Sequence, residues 1–464
     1  MNATADSVPE ELLRHYDVSG PRYTSFPTAS RFGEAFSTEH YTQALVQRRS
    51  GLVNRSKPLS LYVHIPFCES LCGFCACDPV ITSHHDCATA YLRHLAREVE
   101  LHTRHMGAGQ AISQLHLGGG SPTFFSDAEL RDLMGMLRRN FSFSAVGDYS
   151  LEIDPRTVGP ARLDVLAELG FTRLSFGVQD LDAAVQRAVH RVHPAEHVFA
   201  LVAAARERGF GTISLDLMYG LPCQTPESFA GTLAQVHLLR PDRIALYGYT
   251  HLPGRFQPQE HIPVDDLPTD AVRRTMLSQS LSALLSMGYV YVGMGHFALP
   301  DNALAIAKRQ GRLHRSFQGF STQPDGDLIG LGVSAIGHMG ATYSQNAKTL
   351  AEYGDRLDHG LFPVVRGLTL TRDDLARRSV IMALVCQGQV QIESIELAYL
   401  LDFRSYFSRE LQALQPLVEQ GLVTVDAADI QLTVEGRFSE RAVAMVFDRY
   451  LQNDRMRAQA TRIH

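Results

Sequence analysis

Apolar and polar positions along this chain follow two periods that take turns. Short runs rich in β-branched and aromatic residues occur at LSLYVHIPF (59–67), SQLHLGGG (113–120), DYSLEIDP (148–155), TRLSFGVQD (172–180), TISLDLMYG (212–220), RIALYGYT (243–250) and YVYVGM (289–294). These are predicted strands. Between them, ATAYLRHLAREVELH, LRDLMGMLRRNF, ARLDVLAELGF, HVFALVAAARERGF and PESFAGTLAQVHLL carry apolar residues at helical spacing, several closed by glycine. Strand and helix repeated in this way predict a parallel sheet with right-handed crossovers. Six or seven units point to a closed or nearly closed α/β barrel, with an open doubly wound sheet as the alternative.

Chemistry on such a sheet belongs at the carboxyl ends of the strands. The unusual loops fall there: four cysteines after the first strand, GGGSPT after the second, the acid of LEIDPR at the end of the third and GVQD at the end of the fourth. Two regions lie outside the barrel pattern. Residues 1–55 form an arm whose GPRYTSFPTASRF stretch is expected to be extended because of its glycine and prolines. Residues 362–464 open with a capped helix in TLTRDDLARRSVIMALVC, continue with a hairpin in GLVTVDAADIQLTVEGR and end on an amphipathic helix, RAVAMVFDRYLQNDRMR. The expected domains are therefore an arm (1–55), a barrel (56–361) and a small, mainly helical domain (362–464).

No apolar run reaches the length of a membrane span, and MNATADSVPEELLRHYD has no signal-peptide pattern, so a cytoplasmic protein without membrane contact is expected. A net charge of −6 without a long basic run gives nucleic acid no electrostatic footing. Seven cysteines, four of them within FCESLCGFCACD (67–78), suit metal or redox chemistry better than a disulfide framework.

Cys68, Cys72 and Cys75 are spaced C-x3-C-x2-C, with Cys77 two residues further on and expected to point the other way. Structural zinc is the plain alternative, but its usual second pair of ligands does not follow. Three thiolates on a tight loop leave one iron of a [4Fe-4S] cluster without a protein ligand, a position that the amino and carboxylate groups of S-adenosylmethionine can chelate. Gly118, Gly119 and Gly120 would let backbone approach such a ligand closely, or form an ordinary turn. Glu152 could hold a ribose or ammonium group, or be a surface acid near Arg156. Tyr62 could pack beside cluster or adenine, or belong to the core.

The cysteine loop with an aromatic before its third cysteine resembles that of the radical S-adenosylmethionine enzymes. LYVHIPFC with the extra C-x-C cysteine is similar to the oxygen-independent coproporphyrinogen III oxidases, as are GPRYTSFPTA, GGGSPT, LEIDPR, FGVQD, LDLMYGLPCQTPESF, HLPGRF, GMGHFA, LHRSFQGF, LGVSAIG and FDRYL. The resemblance implies a partial (β/α)6-type radical S-adenosylmethionine barrel with an N-terminal arm and a helical C-terminal domain. It implies two S-adenosylmethionine molecules: the first, bound to the cluster held by Cys68, Cys72 and Cys75, near Tyr62, Gly119, Glu152 and Ile336; the second near Phe74, Gly120, Ser121, Gln179, Arg191, Asp216 and Thr250.

The same resemblance implies the substrate, coproporphyrinogen III, and the reaction, oxidative decarboxylation of its ring A and B propionates to the vinyl groups of protoporphyrinogen IX. A flavodoxin- or ferredoxin-type reductant and a monomeric enzyme are expected with it. Arg22 and Arg315 are the candidate propionate partners. The pattern departs from the family at Gly295 (aspartate expected), Ser316 and His190 (asparagine), Ser121 (threonine) and Thr250 (alanine). A porphyrin-handling relative with altered or lost decarboxylase activity is the second reading these departures leave.

Overall fold

The computed structural model describes Leu13 and residues 20–51, 57–77, 79–324 and 326–454. The N-terminal stretch inspected for a signal peptide, apart from Leu13, lies outside the described residues, as do Asp78 and the end of the predicted last helix. The chain divides into two compact units, one drawn from Met1–Arg31, Gly288–Asp325 and Thr369–His464, the other from Phe32–Met287 and Gly326–Leu368. These limits differ from the arm, barrel and C-terminal boundaries expected from sequence.

The larger unit is built on six parallel strands: β1 (Leu59–Ile65), β2 (Gln110–Gly119), β3 (Phe141–Ile153), β4 (Arg173–Gln179), β5 (Thr212–Tyr219) and β6 (Arg243–Gly248). They lie side by side in chain order, each parallel to the next. On the other side of β1 comes β7 (Leu328–Leu331), also parallel to β1, then β8 (Ile336–Met339), β9 (Thr342–Asn346) and β10 (Val364–Thr369). β8 and β9 run antiparallel to their predecessors. The expected (β/α)6 run is present, with this four-stranded extension added to it.

Each crossover is a helix of the predicted kind. The segments are α1 (Asp86–Met106), α2 (Asp127–Asn140), α3 (Arg162–Glu168), α4 (Ala195–Glu207) and α5 (Pro226–Leu239). Ser126 caps α2 in a capping box with Glu129, and Thr225 caps α5 with a proline at the first helical position. Along β1 the alternation is literal: Leu61, Val63 and Ile65 are fully buried while Tyr62 and His64 turn to the opposite, partly open face. That face gathers the polar side chains of the unit. Beyond the GPRYTSFPTASRF stretch of the expected arm, Thr38–Ser50 is a helix opened by a capping box on Ser37.

In the smaller unit, Tyr23 donates to Asp448 (3.1 Å) and Phe26 lies 6.0 Å from Tyr450, so GPRYTSFPTA is fastened to FDRYL. The predicted hairpin forms from Val423–Val425 and Asp429–Leu432, with Gln389–Gln391 as a third strand. The predicted last helix is interrupted instead of continuous. It runs Glu440–Val446, and Asp448 then accepts from the amides of Tyr450 and Leu451 (3.0 Å each), starting a new turn.

The seventh predicted strand is not a barrel unit. Val290–Gly293 folds back antiparallel on His296–Ala298 through Gly293, Met294 and Gly295, all with positive φ (139°, 49° and 82°). Buried Glu440 holds this turn, accepting from the Tyr291 hydroxyl (2.6 Å) and the Met294 amide (2.5 Å). Among the described residues no helix is long and apolar enough to cross a membrane.

Candidate functional site

The cysteine loop leaves the carboxyl end of β1. Its base is closed by a short parallel pairing of Phe67–Cys68 with Val80–Ile81, with the Val80 amide on the Pro66 carbonyl (2.8 Å) and the Thr82 amide on the Cys68 carbonyl (3.0 Å). A turn places the Cys75 amide on the Cys72 carbonyl (3.1 Å), and the Gly73 amide reaches the Val189 carbonyl (2.9 Å). Cys72 is buried, Cys68 and Cys75 are partly exposed and Cys77 is exposed.

Burial first, then the neighbouring Cys75 and Cys72 and the Asp154 carboxylate, push the Cys68 thiol up to about 12, with Arg191 opposing. The thiols thus share one neighbourhood, and a metal centre there would reverse that balance by favouring thiolates. Among the described residues no three His, Cys, Asp or Glu side chains converge as ligands of a single ion do. Three thiols on one short loop suit a cluster with one open iron, whereas a structural tetrahedral ion takes four protein ligands.

One expectation about this loop needs correcting. Cys77 does not point away from Cys75: their sulfurs are 2.6 Å apart. Residues two apart in extended backbone share a face, and only neighbours one apart diverge.

Next to the loop runs the glycine segment. The Gly120 amide donates to the Ile65 carbonyl and the Ser121 amide to the Phe67 carbonyl (2.8 Å each), so GGGS is laced to the backbone leading into Cys68. A Cβ on Gly119, where φ is 118°, would lie 2.8 Å from the His64 ring and 2.9 Å from the Ile65 carbonyl. One on Gly120 would lie 2.7 Å from the Phe67 carbonyl, and one on Gly118 would press on the Glu152 carboxylate at 3.0 Å. Protein neighbours, before any ligand, require these glycines.

Glu152 accepts from the Gly119 amide (3.2 Å) and sits 3.2 Å from His116 Nε2. His116 Nδ1 meets the Ser150 hydroxyl at 2.7 Å, and the Tyr62 ring stacks on His116 with centroids 5.9 Å apart. Loss of water raises the Glu152 carboxyl, but His116 and the Gly119 amide more than offset this and hold it low. Burial drives His64, 3.0 Å from the Tyr62 hydroxyl, down to about 4, so it is neutral at pH 7. Gly330, the register partner of Tyr62, packs against the Ile336 backbone. Tyr62, Gly119, Glu152 and Ile336 therefore come together at one end of adjoining strands.

The second predicted set also converges, for the most part. Arg191 donates to the Gly177 carbonyl (Nε 3.0 Å, Nη2 2.6 Å), and its guanidinium carbon lies 5.9 Å from the centre of the Phe74 ring. Gly177 is in register with Asp216. Gln179 follows a register shift and adopts a left-handed φ of 67°, with its buried Oε1 lacking a hydrogen-bond partner within the protein. Left-handed strain and an orphaned buried acceptor of this kind cluster at ligand sites in proteins generally. Burial, and then Glu152, raise the Asp216 carboxyl to about 7. Ser121 is buried with its hydroxyl 3.2 Å from that of Thr123, and Thr250 is exposed just past β6.

Arg22 and Arg315 belong to the smaller unit, where Arg315 Nε donates to the Arg22 carbonyl (3.3 Å). The departures from the family pattern fit their backbones. His190 has φ 53° and Gly295 φ 82°, left-handed conformations open to asparagine, aspartate, histidine and glycine, and the Ser316 hydroxyl accepts from the Gln318 amide (3.2 Å) as a short amide side chain would.

Sequence reasoning missed His64, His116 and Asp154. Asp154 Oδ2 accepts from Arg156 Nη2 (2.6 Å) and Arg191 Nη1 (3.1 Å), and each of these nitrogens also lies 3.2 Å from Cys72 Sγ. The signal was present in VHIP and LEIDPR, but a lone strand histidine or acid has no sequence mark separating it from a core residue.

Two family models match the chain, the Radical SAM superfamily over residues 62–236 and the HemN C-terminal domain over residues 370–439. The chain is 46% identical over 443 residues to the oxygen-independent coproporphyrinogen III oxidase of Pseudomonas aeruginosa, covering 95% of each. It is 45% identical over 452 residues to that of Escherichia coli, covering 97% of each. The solved structure of the Escherichia coli coproporphyrinogen III oxidase HemN, a radical SAM enzyme, matches with a TM-score of 0.89 at 46% identity, over 92% of this chain and 97% of that one. With its cysteine loop, its six-stranded parallel run and this likeness from end to end, the chain belongs to the oxygen-independent coproporphyrinogen III oxidase family of the radical SAM superfamily.

Proposed function

We propose that the chain converts coproporphyrinogen III to protoporphyrinogen IX without oxygen. Each of the ring A and B propionates gives up a β-hydrogen and carbon dioxide and becomes a vinyl group, with the remaining electron passed to an outside acceptor. The observation that supports this best is the near-complete coverage of curated relatives bearing that name, joined to an intact C-x3-C-x2-C loop at the carboxyl end of β1.

Cys68, Cys72 and Cys75 would hold the cluster, and Tyr62, Gly119, Glu152 and Ile336 the S-adenosylmethionine on it. Bound there, cluster and S-adenosylmethionine supply the 5′-deoxyadenosyl radical that removes the hydrogen. The chain's own part is placement: the Glu152 carboxylate, kept charged by His116, suits an ammonium or ribose hydroxyl. A second S-adenosylmethionine fits Phe74, Gly120, Ser121, Gln179, Arg191, Asp216 and Thr250, where the bare Gln179 Oε1 offers an acceptor.

Arg22 and Arg315 are the proposed propionate ligands. A flavodoxin- or ferredoxin-type donor, a monomer and a cytoplasmic setting complete the reading. Anaerobic turnover with coproporphyrinogen III, S-adenosylmethionine and dithionite, followed by mass analysis, tests it. Loss of two carbon dioxide units with formation of 5′-deoxyadenosine is expected; 5′-deoxyadenosine without a decarboxylated porphyrinogen would favour a porphyrin-handling role.

A further inference from the structure

The groups around Cys72 form a closed arrangement of four. Arg156 Nη2 bridges Asp154 Oδ2 (2.6 Å) and Cys72 Sγ (3.2 Å), and Arg191 Nη1 bridges the same two atoms (3.1 and 3.2 Å). Both cations are held elsewhere too: Arg156 Nη1 donates to the His190 carbonyl (3.0 Å), its amide and Nε to Asp154 Oδ1 (3.0 Å each), and Arg191 to the Gly177 carbonyl. Asp154 and Arg191 side chains are about nine-tenths buried and Arg156 nearly so. Cys72 thus accepts hydrogen bonds from two guanidinium groups at once.

We propose that Asp154 is a positioning residue for the cluster. By accepting from both guanidinium groups through a single oxygen, it aims two charge-assisted N–H donors at the Cys72 sulfur and so raises the reduction potential of the cluster that this sulfur holds.

The physical reasons are general. Hydrogen bonds to cluster sulfurs and the local net charge are what set iron–sulfur potentials, and a donor pointed at a thiolate removes electron density from the iron it ligates. A sulfur has lone pairs enough to ligate iron and accept donors together. The carboxylate matters because two guanidinium groups side by side repel each other, and a shared anion lowers that cost. The arrangement also gives Arg191 a duty to the first cofactor site, beside any contact with a second S-adenosylmethionine.

This inference rests on the assignment of Cys72 to a cluster, so the test separates the two. The anaerobically reconstituted full chain is titrated against dithionite in the absence of S-adenosylmethionine, with the reduced cluster followed by electron paramagnetic resonance and iron and sulfide assayed in parallel. A parent protein that holds no iron would overturn the cluster assignment itself. With iron present, Arg156→Gln is expected to shift the midpoint to more negative potential at unchanged iron content.

Asp154→Asn gives the deciding sign. Removing a nearby negative charge would by itself move the potential up, whereas loss of aim by both arginines moves it down; a downward shift supports the proposal and an upward or absent shift overturns it. Should either variant lose its iron, Arg156→Lys is read instead. Keeping the charge while losing the two-pronged geometry, it is expected to shift the midpoint down by less than Arg156→Gln does in any preparation that retains cluster. A Lys midpoint equal to the parent's would sink the idea.

Discussion

The sulfurs of Cys75 and Cys77 lie 2.6 Å apart, on one side of the extended loop. Geometry therefore does not separate the third motif cysteine from the extra one; chemistry must. The hydrogen bond shared with Cys75, and then burial, push the Cys77 thiol well up, which disfavours its thiolate. Replacing Cys68, Cys72 or Cys75 singly by serine is expected to abolish iron binding and activity, since a hydroxyl cannot match a thiolate for iron. Cys77→Ser is expected to retain iron and sulfide at the parent's level, read by colorimetric assay. Iron loss there would mean a four-cysteine centre.

At Gly119 a methyl group would meet the His64 ring and the Ile65 carbonyl inside 3 Å, on backbone with φ 118°. Gly119→Ala should cost about 2–4 kcal/mol, combining overpacking with left-handed strain. It should also weaken S-adenosylmethionine binding at least tenfold, because the Gly119 amide and Glu152 move together. Chemical melts and calorimetric titration check the two effects separately. An unchanged melt would show that the loop yields freely.

Much of this was legible in the sequence. Five of the six parallel strands were read within a few residues, because apolar runs bounded by glycine and helix leave a clear pattern, whereas β3 begins at Phe141, ahead of the predicted start at 148. The extension β7 to β10 was not: Leu328–Leu331 is four buried residues with no alternation, too short to distinguish from a loop. The YVYVGM run looked like a seventh unit because the reversal at Gly293–Gly295 depends on Glu440, about 150 residues away. The cysteine loop stood out by its spacing. His116, which keeps Glu152 charged, was not, since nothing local tells a buried histidine in a network from one in the core.

Asp216 supplies a pH test. Its carboxyl titrates near 4 in an unfolded chain and at about 7 in the fold, where burial and then Glu152 disfavour its charge while Arg191, Ser175 and Arg173 oppose. The folded state thus keeps a proton that the unfolded state releases, so this group's contribution falls as pH rises from about 4 to 7. Asp216→Asn is expected to flatten that slope and to stabilise the chain at pH 8, by at most about 4 kcal/mol. The same change should impair turnover if Asp216 holds a cofactor. Urea melts at pH 5 and pH 8 read the first effect; a variant less stable than the parent at pH 8 would contradict it.

Arg315 is buried, with its guanidinium 4.4 Å from the Phe320 ring, and it and Arg22 add to the burial that drives His296 down to about 3. A positive region of this kind suits a carboxylate. Arg315→Ala should weaken coproporphyrinogen III binding roughly tenfold or more, as loss of a charge-assisted bond does, and leave iron content unchanged. Arg22→Ala should act in the same direction. Fluorescence titration with the porphyrinogen under anaerobic conditions measures it; equal affinity in both variants would return these arginines to a packing role.

The parallel pairing of β1 with β7 sets Ser60 beside Leu328, 268 positions later (328 − 60). A ribosome adding roughly 5–20 residues per second needs on the order of tens of seconds to cover that gap. Through that interval one flank of the first strand, which leads straight into the cysteine loop, has no neighbour to receive its amides and carbonyls. The nascent chain must therefore be about seven-tenths made before the ground under its metal-binding loop is finished, and helpers that shield exposed strand edges have the most to do in that interval.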